Sequence, residues 1–125
     1  MADSKKIMVV EDDRLVSKIY KIKLESKGYE VITAEDGDQA LSLILSEMPD
    51  LIILDILMPS KSGFEVLDSI RANEQTKEIP VIVLTEANRS EEDLQKGLSK
   101  GANEYLVKSK SSLEQILEKI ASYLN

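Results

Sequence analysis

The stretch Pro49-Asp50-Leu51-Ile52-Ile53-Leu54-Asp55-Ile56-Leu57-Met58-Pro59 decides the fold of this 125-residue chain. A short apolar run between turn-forming residues is typical of a strand that is buried on both faces, as in a parallel sheet. One carboxylate, Asp55, stands where this strand should end. An ionised Asp among Leu and Ile is costly unless a cation or hydrogen-bond donors meet it. Asp55 is therefore either a turn residue that faces water or part of a charged site.

The composition limits the classes of function. The chain has neither Cys nor His, which excludes disulfides, thiol chemistry, Ser-His hydrolysis and His-based metal sites. Its net charge of −7 argues against direct binding of nucleic acid, which needs a basic surface. The apolar segment near the N-terminus is too short for a signal peptide, and no later run is long enough to span a membrane. We expect one cytoplasmic domain, residues 1–125, with no membrane partner.

Five apolar runs alternate with five segments of helical periodicity. The runs that we predict to be strands are residues 7–10, 30–34, 51–54, 79–84 and 103–107. Strict alternation of strands and helices favours an α/β fold, in which helices cover both faces of a parallel sheet. Because crossovers are right-handed, the favoured topology at this length is the doubly wound, flavodoxin-like (βα)5 sheet with strand order 2-1-3-4-5.

The helical segments carry apolar side chains at spacings of three and four residues. Sets of this kind follow the first, second and last strands: Leu15, Val16, Ile19, Ile22 and Leu24; Ala40, Leu41, Ile44, Leu45 and Met48; Leu113, Ile116, Leu117, Ile120 and Leu124. We predict that the second set lines the inner face of its helix and that the third set lines the apolar face of the last helix. Gly28 suits a C-terminal cap of the first helix. Ser90 with Asp93, and Ser112 with Gln115, are capping-box signatures for the last two helices.

Polar residues follow or end four of the five predicted strands. Glu11 and Asp12 follow the first strand, Asp55 the third, Thr85 the fourth and Lys108 the fifth. In a doubly wound sheet, ligands bind outside the carboxyl ends of the strands, where the strand order reverses. That point lies between strands one and three. The sequence therefore predicts that these side chains converge on one edge of the sheet.

The converging residue types suit one kind of chemistry. Crowded carboxylates raise at least one pKa unless a cation intervenes, and oxygen ligands without Cys or His suit Mg²⁺. A Thr85 hydroxyl as donor and a Lys108 ammonium as point charge would complete a phosphoryl site. A carboxylate can itself be the nucleophile and form an aspartyl-phosphate. Asp55 is the candidate because it lies centrally among these groups.

Each of these residues also has a structural alternative. Asp12 or Asp13 could cap the first helix, Thr85 is a common type at a strand end, and Lys108 is of a type that is usually solvated. An aromatic such as Tyr105 is most often half-buried packing. Function is favoured because residue types that one reaction needs occur together at four strand ends.

With these motifs in view, the chain resembles the receiver domains of bacterial response regulators, and among them the stand-alone chemotaxis type. The resemblance extends over residues 6–124. The motifs that support it are Val9-Val10-Glu11-Asp12, Leu54-Asp55-Ile56-Leu57-Met58-Pro59 with Gly63, Leu84-Thr85, and Gly101-Ala102 through Tyr105-Leu106-Val107-Lys108. The resemblance implies a two-component phosphorelay in which Asp55 accepts a phosphoryl group from a histidine kinase or a histidine phosphotransfer protein.

The resemblance also implies a metal site. Asp12 and Asp55 would coordinate Mg²⁺ together with the backbone carbonyl of Leu57, and Glu11 would act through a water molecule. Such a domain is a signalling phosphoacceptor rather than a conventional enzyme, since it catalyses only its own phosphorylation and dephosphorylation.

The switch and the catalytic pair are likewise implied by the resemblance. Thr85 and Lys108 would bind the phosphoryl oxygens. Thr85 would then move toward the phosphate while Tyr105 turns inward, and this would remodel the face of helix four, strand five and helix five for a downstream target protein. Three positions depart from the family pattern, and one of them is Arg14, which follows Asp13 in an extended acidic run. Glu86 stands where a small residue is usual, and Ser109 stands where many members have Pro, which puts the usual cis peptide in doubt.

Two rival functions make different demands on the sequence. A metal-dependent phosphatase with an Asp nucleophile would need a second acid two residues after Asp55, where this chain has Leu57. A flavodoxin-like electron carrier would need a Ser/Thr/Gly-rich loop after strand one, where this chain has Glu11-Asp12-Asp13.

The sequence shows no output domain after the last predicted helix. It leaves open whether the chain is a whole regulator or a receiver fragment of a longer one.

Overall fold

The structure, a computed structural model, describes residues 4–56, 62–85 and 91–124, with backbone alone for residues 91–93. Its strands are β1 (Lys6–Val10), β2 (Glu30–Ala34), β3 (Leu51–Leu54), β4 (Val81–Thr85) and β5 (Glu104–Val107). They pair in parallel in the order β2-β1-β3-β4-β5. The predicted fold class and strand order are confirmed.

Five helices connect and cover the strands. They are α1 (Arg14–Ser26), α2 (Gly37–Glu47), α3 (Gly63–Ala72), α4 (Glu91–Ser99) and α5 (Leu113–Leu124), and a short 3-10 turn (Lys108–Lys110) precedes α5. Alternate strand residues face two separate cores. One core packs side chains such as Val10 and Leu54 against α2 and α3, and the other packs Val9 and Ile53 against α1 and α5. None of the described helices is both long and apolar enough to cross a membrane.

Helix ends follow the local sequence closely. The Ser112 hydroxyl accepts from the Gln115 amide at 3.1 Å, and the Gln115 side chain accepts from the Ser112 amide at 2.8 Å. This reciprocal pair is the predicted capping box of α5. Gly28, just after the C-cap residue of α1, has a φ of +96°, which a Gly adopts without steric cost. Ser90 lies outside the described residues, as does the side chain of its predicted partner Asp93.

The predicted inner face of α2 is wrong at its C-terminal end. Ala40 and Ile44 are buried as expected, but Leu45 and Met48 are 50% and 45% exposed. Met48 adopts a left-handed conformation with a φ of +46°, and this ends the helix. The apolar pattern therefore extends one turn beyond the part of α2 that packs on the sheet.

Helix α1 exposes most of its apolar pattern. Leu15, Ile19 and Ile22 are 69%, 49% and 59% exposed, whereas the buried positions include Tyr20 and Leu24. Apolar residues lie on two sides of this helix, and their spacing alone does not tell which side packs against the sheet. The side that carries Tyr20 and Leu24 packs against the core that also contains side chains of α5.

The start of α3 is pressed against the backbone that follows β3. The amide of Gly63 donates to the carbonyl of Ile56 at 3.0 Å. A Cβ atom on Gly63 would lie 2.7 Å from the Ile56 Cα and would overlap the carbonyl oxygen of Asp55. The lack of a side chain at Gly63 therefore lets α3 support the segment that holds Asp55.

We expect Gly63→Ala to lower the free energy of unfolding by about 1–3 kcal/mol, because backbone atoms cannot move aside as a side chain would. Urea denaturation of the parent and the variant measures this difference. Ser69→Ala, at an exposed position on the same helix, is the control and should change little. Equal stability of the parent and Gly63→Ala would contradict the close contact.

Candidate functional site

The carboxyl ends of the strands are level at one edge of the sheet. Val10 pairs with Leu54, so Glu11 and Asp55 emerge side by side from β1 and β3. The amide of Asp55 donates to the carbonyl of Val10 at 3.1 Å, which fixes the start of its segment. The Thr85 position at the end of β4 pairs with Val107, so Lys108 follows directly beyond it. The predicted convergence of the strand ends is confirmed.

Three carboxylates meet at this edge. One oxygen each from Glu11, Asp12 and Asp55 lie within 4.8 Å of one another. Glu11 and Asp55 are only 5% and 6% exposed, and Asp12 lies at the open rim. Desolvation, a hydrogen bond with Glu11 and the neighbouring negative charges together raise the pKa of Asp12. The site thus concentrates negative charge in a place with little water to screen it.

This donor set fits Mg²⁺. All the ligand atoms that it offers are hard carboxylate oxygens, and two of the three side chains are already held in place by burial. The pKa of Asp12 is raised by desolvation first and by neighbouring negative charges as well, and a divalent cation there would offset the repulsion among these charges. Leu57, whose carbonyl the resemblance implies as a further ligand, lies outside the described residues.

Lys108 supplies the cation that the protein itself brings to the site. Its Nζ lies 2.5 Å from a Glu11 carboxylate oxygen, and the two side chains are 12% and 7% exposed. Burial by itself would lower the pKa of Lys108, but the bond to Glu11 and the charges of Glu11 and Asp55 outweigh it, and the pKa is raised. Lys108 is therefore a buried, protonated amine, and the solvated alternative is wrong.

Thr85 presents a buried hydroxyl with an unmet hydrogen bond. Its side chain is fully buried, and Oγ1 has no hydrogen-bond partner among the described residues. Such a group costs roughly 1–3 kcal/mol. Tyr105 pairs with Val83 across the β4–β5 ladder and packs on the core that also contains Val83. Thr85, two residues beyond Val83, therefore has Tyr105 as a diagonal neighbour on the same face.

The structure separates the roles of the two adjacent Asp residues. The carboxylate of Asp13 accepts from the amides of Leu15 and Val16 at 3.0 and 3.2 Å and so caps α1. Asp12 faces the carboxylate cluster instead. The capping alternative therefore applies to Asp13 and not to Asp12.

Sequence reasoning missed the exposed stripe on α1, formed by Leu15, Ile19 and Ile22. The signal was present as two apolar arcs on one short helix, of which a single sheet can bury only one.

The two departures from the family pattern at Glu86 and Ser109 fare differently. Glu86 lies outside the described residues, so the structure says nothing about it. No peptide bond within the described ranges is cis, and these ranges include the bond that joins Lys108 to Ser109.

Comparison with known proteins gives a consistent family match. The family model described as "Response regulator receiver domain" matches residues 7–121. The transcriptional regulatory protein CpxR of Escherichia coli (strain K12) is 47% identical over 103 residues, which is 82% of this chain and 42% of that protein. The DNA-binding dual master transcriptional regulator RpaA of Synechocystis is 35% identical over 119 residues, 95% of this chain and 48% of that protein. The chain thus spans less than half the length of these curated relatives.

Solved structures agree with this match. The chemotaxis protein CheY4 of Vibrio cholerae superposes with a TM-score of 0.89 at 33% identity, covering 97% of this chain and 99% of that one. The BeF3-activated N-terminal receiver domain of Klebsiella pneumoniae RstA also gives a TM-score of 0.89, at 29% identity, with the same coverage of both chains.

We expect Asp12→Asn and Asp13→Ala to fail in different ways. Asp12→Asn removes a charged ligand and should weaken Mg²⁺ binding roughly tenfold or more, since even indirect changes at metal sites cost that much. Asp13→Ala should retain Mg²⁺ binding but lower the free energy of unfolding by about 1 kcal/mol, because it removes a helix cap. Calorimetric titration with Mg²⁺ and urea denaturation measure the two effects. Similar losses of Mg²⁺ affinity in both variants would contradict this division of roles.

Proposed function

Because this chain belongs to the response regulator receiver domain family, we propose that Asp55 is its phosphoacceptor and that a phosphohistidine is the donor. The observation that carries the proposal is the placing of a buried Asp55 among groups that a phosphoryl anion needs. Lys108 supplies a partly buried cation at the same edge. Thr85 has a buried hydroxyl without a hydrogen-bond partner among the described residues. The family match favours a phosphoacceptor over an Asp-nucleophile phosphatase.

In the proposed reaction a carboxylate oxygen of Asp55 attacks the phosphorus of the phosphohistidine. The P–O bond forms as the P–N bond breaks, and the electron pair of that bond stays on the imidazole nitrogen. Mg²⁺, held by Asp12 and Asp55 with Glu11 acting through water, would neutralise charge on the phosphoryl oxygens. The domain would catalyse only its own phosphorylation and the later hydrolysis of its acyl phosphate.

Lys108 and Thr85 would receive the transferred group. Lys108 now pairs with Glu11, so an incoming phosphoryl oxygen would compete with that carboxylate for the ammonium. Thr85 would donate its hydroxyl hydrogen to a second oxygen, which would satisfy a buried group at no cost in other described bonds. Phosphorylation would thus rearrange two side chains at adjacent strand ends.

The rearranged face would bind the regulated partner. Tyr105 is the diagonal neighbour of Thr85 and belongs to β5, between α4 and α5. A shift of Thr85 toward Asp55 would alter the packing of the Tyr105 ring and so the surface of α4, β5 and α5. The partner is either a separate target protein or a further domain of a longer regulator. The lengths of the curated relatives are consistent with the second form.

We also propose that the donor protein docks on α1. The donor histidine must reach Asp55, so the donor covers surface next to the site, and α1 begins two residues after Asp12. Its exposed stripe, Leu15 to Ile22, extends for about 10 Å from that end. An apolar stripe of this kind beside a reactive centre suits a helical partner that carries the histidine.

Asp55 should be the only position that a small phosphodonor modifies. Incubation with acetyl phosphate and Mg²⁺ should add one phosphoryl group to the parent, as measured by intact mass, and none to Asp55→Asn. Chelation of Mg²⁺ with EDTA should suppress the addition, because the carboxylate cluster then repels the phosphate. Undiminished labelling of Asp55→Asn, or equal labelling in EDTA, would overturn the assignment.

Leu15→Ala/Ile19→Ala should slow phosphotransfer from a phosphorylated histidine kinase roughly tenfold or more, because two contact side chains are lost. Labelling by acetyl phosphate should stay at the parent rate, since that donor needs no docking surface. Met48→Ala, which truncates an exposed apolar residue on α2, is the control and should behave as the parent with both donors. Equal slowing with both donors, or no slowing with the kinase, would contradict docking on α1.

A further inference from the structure

Helix α4 contains a glycine, Gly97, that lies against the aromatic ring of Tyr105. Gly97 is buried in the last turn of α4, and within a helix Gly is among the least favourable residues. A Cβ atom at this position would lie 2.7 Å from Cδ2 and 3.1 Å from Cε2 of the Tyr105 ring. Both distances are shorter than ordinary van der Waals contact. The ring thus occupies the volume that any side chain at position 97 would take.

The Tyr105 ring, which is partly buried, has further neighbours on the sheet and on α3. Tyr105 lies beside Val83 on the sheet, and Phe64 of α3 approaches the same place, since a Cβ on Gly97 would be 3.6 Å from its ring. The ammonium of Lys96 lies 4.5 Å from the centre of the Phe64 ring. The Tyr105 hydroxyl is itself buried. The aromatic ring therefore lies inward, between α4 and the sheet.

The C-terminal end of helix α4, which carries Gly97, is tied to neighbouring elements. The carbonyl of Gly97 accepts from the amide of Ala102 at 3.1 Å. The guanidinium of Arg71 donates to the carbonyl of Gly101 at 2.9 Å and to the side chain of Asn103 at 3.0 Å, which ties the end of α4 to α3 and the start of β5. Because this end of the helix is held in place, we expect an added methyl group at position 97 to displace the Tyr105 ring.

We propose that Gly97 is a positioning residue of the switch, whose missing side chain permits the inward position of Tyr105. A side chain at position 97 would hold the ring outward whatever the state of Asp55. The inference rests on the proposed function only for its link to phosphorylation, because the packing of Tyr105 against Gly97 stands without it. A merely structural glycine would instead affect helix stability without regard to Tyr105.

The first test is a double-mutant comparison of thermal unfolding. Gly97→Ala should lower the Tm of the parent, because the methyl group meets the ring. In the Tyr105→Ala background the same change should raise the Tm, since only the better helix propensity of Ala remains. Ser99→Ala, an exposed change in the same helix, should have the same small effect in both backgrounds. A rise in both backgrounds, or an equal fall in both, would overturn the proposal.

The second test follows the ring itself by NMR with ring-labelled tyrosine, of which the chain has four. Beryllium fluoride with Mg²⁺ serves as a stable phosphoryl mimic, and Tyr105→Phe identifies the signal. The Tyr105 signal of unliganded Gly97→Ala should differ from that of the parent and should respond little to the mimic. Acetyl phosphate should still label Asp55 in this variant, as measured by intact mass. A parent-like signal and response in Gly97→Ala would overturn the proposal.

Failure of the proposed function would be seen separately. If the parent itself took no label at Asp55, the proposed function would fail, while the thermal comparison would still decide the role of Gly97.

Discussion

The mutual repulsion of three carboxylates at the end of a buried sheet is the constraint on which the rest of the site depends. Glu11 and Asp55 are almost fully buried, and their oxygens lie within 4.8 Å of each other and of Asp12. Two like charges in such a place are stable only beside a cation. Lys108, 97 residues distant along the chain from Glu11, provides one by reaching back across β4 and β3 to its carboxylate. The remaining negative charge makes the same edge suited to a divalent cation, which we propose to be Mg²⁺.

The parallel topology makes this arrangement possible. Residues that are remote in sequence emerge level at one edge because each strand runs in the same direction. The same topology places Thr85 beside β5, which carries the partly buried Tyr105. Two side chains, Thr85 and Tyr105, therefore separate the proposed chemistry at Asp55 from the proposed change on the outer face. Gly97 sets the space that the Tyr105 ring can use.

Much of the fold was predictable because its signals are local. The run before Asp55 had the length and the boundaries of a buried strand, and Ser112 with Gln115 formed the expected cap. The strand ends were predictable too, since topology alone brings them together.

Other features were not predictable from the sequence. The spacing of apolar residues did not show which side of α1 faces the core, because Leu15 and Leu24 lie on different apolar sides of one helix. Nor could sequence assign the cap to Asp13, since adjacent Asp residues suit that position equally and only hydrogen-bond geometry separates them. The contact between Gly97 and Tyr105 depends on how closely α4 packs against β5. A single glycine in the sequence is weak evidence for such close packing.

The most direct test of the account is a crystal structure of the chain with Mg²⁺ and beryllium fluoride. We expect beryllium to be bonded to a carboxylate oxygen of Asp55, and magnesium to be bound by Asp12 and Asp55. Lys108 should have left Glu11 for a fluoride, and the Thr85 hydroxyl should donate to another. Beryllium fluoride at a different residue, or at Asp55 with Lys108 still on Glu11 and the Thr85 hydroxyl unmoved, would contradict it.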